Sequence, residues 1–333
     1  MTTILVWNPR ASRATAELLD EARAKLEGVT VCELGEDEDP VDRARHCLRS
    51  QPDRIVAAGG DGTVSAVAAA LLELGLGENG PALGVLPMGT SNSFSVALGI
   101  PGDLHEAIAL LESAPTRTID VGVAEAEAGK RTMILHCMIG IHADTIASAT
   151  VESKQRWGVL AYVGSALRQL ASLASFAVEI TSDAHEIRCR SIGVGVANIA
   201  PPRAMMAQGP SHLVPDDGLL DTTIVAAEGI SEAVATTWHL YRSALEGEPA
   251  NRDNVGSLAS STVTIRTDPR QQILLDGEPF GETPVTLTAL PRALKVIAPA
   301  PSAVAADPVD AALDGLPDLE VAVRGDAGHR GTQ

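Results

Sequence analysis

The sequence predicts two domains in tandem: an α/β domain built on a parallel sheet, then a mostly antiparallel, β-rich domain. Three observations carry this. Up to about residue 115, short β-prone runs alternate with longer Ala/Leu/Glu-rich stretches, the order expected of a parallel sheet covered on both faces. Beyond Pro115 strand-like runs follow one another with few helices between, which fits an antiparallel sheet packing. The chain has 333 residues, 45% of them apolar, enough for a full core at roughly 100–200 residues per domain.

In the first part, Ile4–Trp7, Val29–Leu34, Arg54–Ala58 and Ala82–Leu86 read as strands. Thr15–Leu26, Pro40–Ser50, Gly62–Leu74 and Asp103–Glu112 read as the helices that follow, and ligands of such sheets bind beyond the carboxyl ends of the strands. In the second part, strands are expected at Thr118–Ala124, Arg131–Ile139, Ala177–Ile180, Arg188–Asn198, Leu219–Ala226, Ser261–Arg266, Gln272–Leu275, Val285–Ala289 and Leu294–Ile297. Two helices interrupt them, Gly158–Ser175, with Leu160, Val163, Leu167, Leu170 and Leu173 at near-helical spacing, and Ser231–Glu246. The domains are therefore placed at residues 1–115 and 116–298, with room for the chain to return to the first near its end. Residues 299–333, Ala/Pro/Asp/Gly-rich and without aromatics, are read as a largely disordered acidic tail.

The charge excludes some functions. With 25 Lys+Arg against 43 Asp+Glu the formal charge is −18. Lys25, Lys130, Lys154 and Lys295 are the lysines and the arginines are scattered, so no basic face is available to bind nucleic acid by counterion release. The longest apolar runs fall short of the roughly 20 residues a membrane-spanning helix needs. Met1 leads directly into a strand-like run rather than a targeting segment, and a cytoplasmic protein is expected. Cys32, Cys47, Cys137 and Cys189 have neither metal-ligand nor scaffold spacing and are read as buried thiols.

Two glycine-rich turns carry the chemistry. In Ile55–Val64 a strand ends in Gly59, Gly60, Asp61, Gly62 and Thr63 and a helix begins at once. Glycines let a ligand approach the backbone, and the first N–H groups of a helix lack internal partners, so the turn can hold phosphate oxygens. Asp61 would repel phosphate unless it acts through Mg²⁺. Leu86–Asn92, with Gly89 and Thr90, is a second such turn; on neighbouring strands, the two would share one edge of the sheet. Neither glycine turn carries a GxxxxGK[ST] or a GxGxxG run, which leaves little support for a P-loop NTPase or a dinucleotide-dependent dehydrogenase.

Gly59–Thr63, Leu86–Asn92, Ile119-Asp120-Val121-Gly122, Pro215–Asp221 and Leu275-Asp276-Gly277-Glu278 occur in this order, and together they resemble the diacylglycerol kinase catalytic-domain family. That family includes bacterial lipid kinases and sphingosine kinases and is distantly similar to NAD kinases. The resemblance runs from about Ile4 to Pro299 and implies a two-domain lipid-kinase-like architecture with a β-sandwich-like second domain. It also implies an ATP- and Mg²⁺-dependent phosphotransferase acting on a hydroxyl of diacylglycerol or a related long-chain lipid alcohol, in lipid metabolism or phospholipid biosynthesis. Asn8 and Pro9 would start the nucleotide-binding loop, Gly59, Gly60, Asp61, Gly62, Thr63 and Val64 would hold the ATP phosphates, and Gly89 and Thr90 would complete the nucleotide site. Asp61 and Asp120 would belong to a Mg²⁺–water network at the phosphates. Glu278 would be the general base with Asp276 beside it, and a structural Mg²⁺ would be held by Asp217 and the carbonyls of Val214 and Leu219. Contact with a membrane surface would be transient and peripheral, and a homodimer is compatible with the family.

The chain departs from the family pattern at four places. Arg10-Ala11-Ser12 replaces a smaller loop, Ala66 stands where a Glu is usual, and Ser93 stands where an Asp is usual. The Gly-rich stretch that commonly precedes the late Asp-Gly motif is only partly matched, by Pro201–Gly209. An alternative reading follows, a catalytically weak or inactive nucleotide-binding homologue with a regulatory role.

Overall fold

Thr15, Asp39 and Asp103 each precede a run of helix-forming residues, and each side chain accepts hydrogen bonds from the N–H groups that begin the helix, which is what starts a helix at these points. The computed structural model describes residues 2–26, 28–140, 175–201, 213–226, 254–300, 311–313 and 315–324. Its first part runs β1 (Thr3–Trp7), α1 (Ala16–Lys25), β2 (Val29–Glu33), α2 (Pro40–Leu48), β3 (Arg54–Gly59), α3 (Asp61–Glu73), β4 (Ala82–Pro87), the short α4 (Ser93–Ala97) and α5 (Leu104–Ser113). The strands pair in parallel in the order β4-β3-β1-β2. β1, β3 and β4 are buried along their whole length, as expected of strands covered on both faces. α3 buries Val64, Ala66, Val67, Ala68, Ala70 and Leu71, and α2, β3 and β6 (Gly129–Met133) pack around it.

The second part is the expected antiparallel packing. β5 (Thr116–Ala126), β6, β8 (Phe176–Thr181), β9 (His185–Ser191), β13 (Thr262–Asp268) and β16 (Val285–Ile297) extend the first sheet. β7 (His136–Ile139), β10 (Gly193–Ala197), β11 (Leu220–Val225), β12 (Val255–Ser260), β14 (Gln272–Leu275) and β15 (Glu278–Glu282) build a second. Inward-facing residues of both sheets, Ile180, Ile187, Val194, Ile224, Leu258 and Leu287 among them, form one core. β16 lies parallel to β4 at Val296 and Leu83 and antiparallel to β5, so the chain rejoins the sheet of its first part.

Several expected elements differ. Arg131–Ile139 and Arg188–Asn198 are each two strands, because the chain changes sheet between β6 and β7 and between β9 and β10, the way corners form in packed sheets. Val285–Ala289 and Leu294–Ile297 are instead one strand with an irregularity between Leu290 and Leu294, where Arg292 takes a positive φ of 51°. β12 escapes the sequence pattern because it is buried on both faces and does not alternate. β15 escapes it because Glu278-Pro279-Phe280-Gly281-Glu282 is an exposed edge strand with little β propensity. The expected helix Ser231–Glu246 and all but the last residue of Gly158–Ser175 lie outside the described residues.

Two further expectations are corrected. Within the region read as a disordered tail, β17 (Ala311–Ala312) pairs with β12 and β18 (Glu320–Val323) pairs with β9. Leu313 and Leu316 enter the core of the second part, so this segment buries apolar surface its composition conceals. Cys32 and Cys47, read as thiols, form a disulfide with Cα atoms 6.5 Å apart, since β2 and α2 bring the two residues together. Cys137 and Cys189 are buried thiols.

Candidate active site

Gly59 ends β3 with no room for a side chain, since a Cβ there would lie 2.2 Å from Thr63 Oγ1. The turn therefore closes directly into α3, with the Thr63 and Val64 N–H groups donating to the Gly60 carbonyl at 3.0 and 3.2 Å. Because β3 and β4 are parallel neighbours with Gly59 beside Pro87, the second glycine turn sits against the first. A Cβ at Gly89 would lie 2.5 Å from Gly60 Cα. Asn92, at φ +50°, clamps Gly89 through its side chain, which accepts from the Gly89 N–H and donates to its carbonyl, both at 2.8 Å. From the end of β1, Asn8 Nδ2 donates to Thr63 Oγ1 at 3.1 Å. Three loops thus meet where the parallel strands end. Nothing lies within 4 Å of a Cβ placed on Gly62, so packing does not require glycine there and open backbone faces outward, as an approaching phosphate would need.

The acidic residues divide by their surroundings. The Asp61 carboxylate accepts the Ser93 and Phe94 N–H groups, each at 3.0 Å, and so ties the two turns together. Asp276 and Gly277 have positive φ, 50° and 90°, and form the two-residue turn between Leu275 and Glu278, the geometry an Asp-Gly hairpin favours. The Asp276 side chain points inward and accepts N–H bonds from Ile134, Leu135 and His136 at 2.9, 2.9 and 3.1 Å and the Ser65 hydroxyl at 3.1 Å. Burial pushes its carboxyl above the usual range, opposed by the Ile134 and Leu135 N–H bonds and by His136. Burial lowers the neighbouring His136, while Asp276 and Asp61 favour its charged form. Glu278 is exposed.

These parts border a cavity of about 990 Å³ lined by Asn8, Gly60, Gly62, Thr63, Gly89, Thr90, Asp276 and Glu278, all expected from the sequence. The other expected residues of the turns hold its shape from behind: Gly59 and Val64 are buried and Asp61 faces Ser93. Pro9 is exposed beside Asn8. Ala66, Ala69 and Leu72 of α3 make an apolar wall, so the departure at Ala66 faces the cavity itself. Ser65, Lys130, Arg131 and Thr132 also line it; the sequence offered no local signal for these except two adjacent cations in a hairpin.

Asp120, Val214, Asp217 and Leu219 do not line this cavity. Asp120 is 1% exposed and accepts the N–H groups of Gly218 and Arg292 at 2.5 and 2.6 Å, while its own N–H donates to the Pro215 carbonyl at 2.7 Å. Ala293, next to Arg292, packs on Gly77 in the loop that leads into β4, whereas the glycine turns lie where β3 and β4 end. Asp217 accepts the Leu219 N–H at 2.9 Å, and burial, with Asp120 and Asp216 nearby, holds its carboxyl above the ordinary range. Among the described residues no cluster of three or more His, Cys, Asp or Glu is arranged to hold a metal ion, and no helix is long and apolar enough to cross a membrane.

Residues 2–124 match the model of the diacylglycerol kinase catalytic domain, and residues 137–298 match that of the YegS C-terminal NAD kinase beta sandwich-like domain. The chain is 33% identical over 253 residues to the "Probable lipid kinase YegS-like" of Pseudomonas syringae pv. syringae, covering 74% of this chain and 76% of that protein. It is 29% identical over 246 residues to the "Probable lipid kinase YegS" of Escherichia coli O9:H4, covering 72% and 76%. An uncharacterized protein of Synechocystis sp. is 35% identical over 245 residues, covering 74% of this chain and 54% of that protein, so this chain spans about half of that relative. A crystal structure of a diacylglycerol kinase from Bacillus anthracis has the same fold, with a TM-score of 0.67 at 21% identity over 91% of this chain and 98% of that one.

Proposed function

The chain belongs to the diacylglycerol kinase catalytic-domain family, in the branch that carries the YegS-type C-terminal domain, and on that premise we propose that it transfers the γ-phosphoryl group of ATP to a hydroxyl of diacylglycerol or a related long-chain lipid alcohol. One observation carries this reading: backbone from two glycine turns and the free carboxylate of Glu278 border the same cavity. In this reading the N–H groups at Gly60 and Gly62 and the Thr90 hydroxyl orient the donor phosphates. Glu278 takes the proton as the acceptor oxygen attacks the γ-phosphorus and ADP leaves. A positioned carboxylate of this kind contributes about 10²–10⁴-fold, and positioning and charge neutralisation supply the remainder. Ala66, Ala69 and Leu72 give an apolar acceptor a surface to lie on.

Mg²⁺ fits the donor chemistry. Asp217 is an acid crowded by Asp120 and Asp216, and a carboxylate with backbone carbonyls at Val214 and Leu219 is a hard-oxygen set suited to that ion. Asp61 would contribute at the phosphates. Mg²⁺ held at Asp217 would brace that loop, and Mg²⁺ bound at the phosphates would neutralise charge on the donor. The acceptor would be reached by transient peripheral contact with the cytoplasmic membrane surface; two copies of the chain could act together.

The alternative, a nucleotide-binding homologue with little turnover, is favoured by Ala66 on the cavity wall and Ser93 beside Asp61. Incubation of the purified protein with ATP, Mg²⁺ and mixed lipid micelles separates the two. The kinase reading predicts a phosphorylated lipid, and intact ATP binding without that product would leave the alternative.

A further inference from the structure

Ser65 is unremarkable in sequence, the fifth residue of an Ala-rich helix, yet it makes a bond that a plain hairpin would not need. An Asp at the first position of an Asp-Gly turn is explained by its tolerance of positive φ, and its side chain can then face water. Here the Asp276 carboxylate is turned inward and saturated: three N–H groups come from the corner between β6 and β7, and the fourth donor, Ser65 Oγ at 3.1 Å, comes from α3. A buried carboxylate needs such partners. The fourth partner sits on the helix whose first turn carries Gly62 and Thr63 at the cavity, and two residues beyond Asp276 stands Glu278.

We propose that Ser65 is a positioning residue: its hydroxyl bond to Asp276 links the phosphate-binding helix to the turn that presents Glu278, so that an occupied donor site holds the base in place. The inference rests on the kinase reading above. The path is short and continuous, from the Gly60–Thr63 backbone through α3 to Ser65, then to the Asp276 carboxylate and along the rigid Asp-Gly turn to Glu278. It is a single bond added to a carboxylate that three N–H groups already hold, so removing it loosens the turn without exposing an unsatisfied group. Ser93 and Phe94 hold Asp61 in the same manner, which makes α3 the element that both glycine turns and the base-bearing hairpin share.

Hydrogen exchange with and without ATP, on wild type, Ser65→Ala and Ser65→Thr, tests this together with steady-state kinetics. The expected result is ATP-dependent protection of residues 272–282 in wild type and Ser65→Thr and its loss in Ser65→Ala. Protection of 59–64 and nucleotide affinity should be unchanged in all three. In Ser65→Ala kcat should fall about tenfold with KM for ATP unchanged, and Ser65→Thr should restore it. Equal protection of 272–282 in wild type and Ser65→Ala, with equal kcat, overturns the coupling while 59–64 still responds to ATP. If ATP protects nothing at 59–64 in the wild type, the nucleotide reading itself fails and the coupling falls with it.

Discussion

Two acidic regions of this molecule look alike in sequence and differ in what surrounds them. At the cavity, Glu278 is exposed and its side chain makes no hydrogen bond among the described residues, while the Asp276 carboxylate two positions earlier is held by four donors. In β5, away from this cavity, Asp120 spends both oxygens on the N–H groups of Gly218 and Arg292, and Asp217 stands beside it in an acidic loop. Both regions contain an Asp-Gly pair, yet one offers an open proton acceptor and the other a cross-braced loop. A carboxylate whose lone pairs already bind backbone N–H groups organises structure; one left open at a cavity wall can take a proton.

The sharpest way to break this contrast is Glu278→Gln. Turnover should fall at least ~100-fold with nucleotide affinity nearly unchanged, and thermal unfolding should not move; unchanged turnover would show that Glu278 is not the base. Asp120→Ala should do the reverse, removing a buried carboxylate that accepts two part-buried N–H groups and costing about 1–3 kcal/mol by denaturant unfolding. A loss below ~0.5 kcal/mol would deny it the bracing role, since surface substitutions without such partners reach that size. Asp217→Asn should act more gently, abolishing any rise in melting temperature that Mg²⁺ gives the wild type, and an equal rise in both proteins would place the ion elsewhere.

The smallest effect is expected at Asp103, the exposed cap of α5. N–H bonds from Glu106 hold its carboxyl below the usual value, with burial opposing and the His105 N–H assisting. A depressed folded-state pKa gives stability that is present above the unfolded value of 3.8 and is lost as pH falls through the folded one. Asp103→Asn should therefore flatten a small part of the acid limb of the stability curve, and an unchanged limb would contradict it.

The glycine turns were legible in sequence because their constraint is local: Gly59, Gly60 and Gly89 are required by atoms a few residues away or on the adjoining strand. Glu278 was singled out only through the family resemblance, since the residue after an Asp-Gly turn is by itself an ordinary hairpin position. The partners of Asp120 and Asp276 were not legible, since apart from the Ser65 hydroxyl they are backbone N–H groups such as those of Gly218, Arg292 and Ile134, and any residue but proline would supply one. Lys130, Arg131 and Thr132 line the cavity only because β5 and β6 fold over α3. The same limit hid β12, buried on both faces, and the strands β17 and β18, whose apolar contacts are spread through a segment that composition alone marks as unstructured.

In the proposed reaction this cavity moves a phosphoryl group onto a lipid hydroxyl. Its most direct measurement is mass spectrometry of a lipid extract incubated with labelled ATP and Mg²⁺, using wild type and Glu278→Gln side by side. A lipid that gains one labelled phosphate is expected with the wild type and almost none with the variant. ATP bound by both proteins and no labelled lipid from either would contradict it.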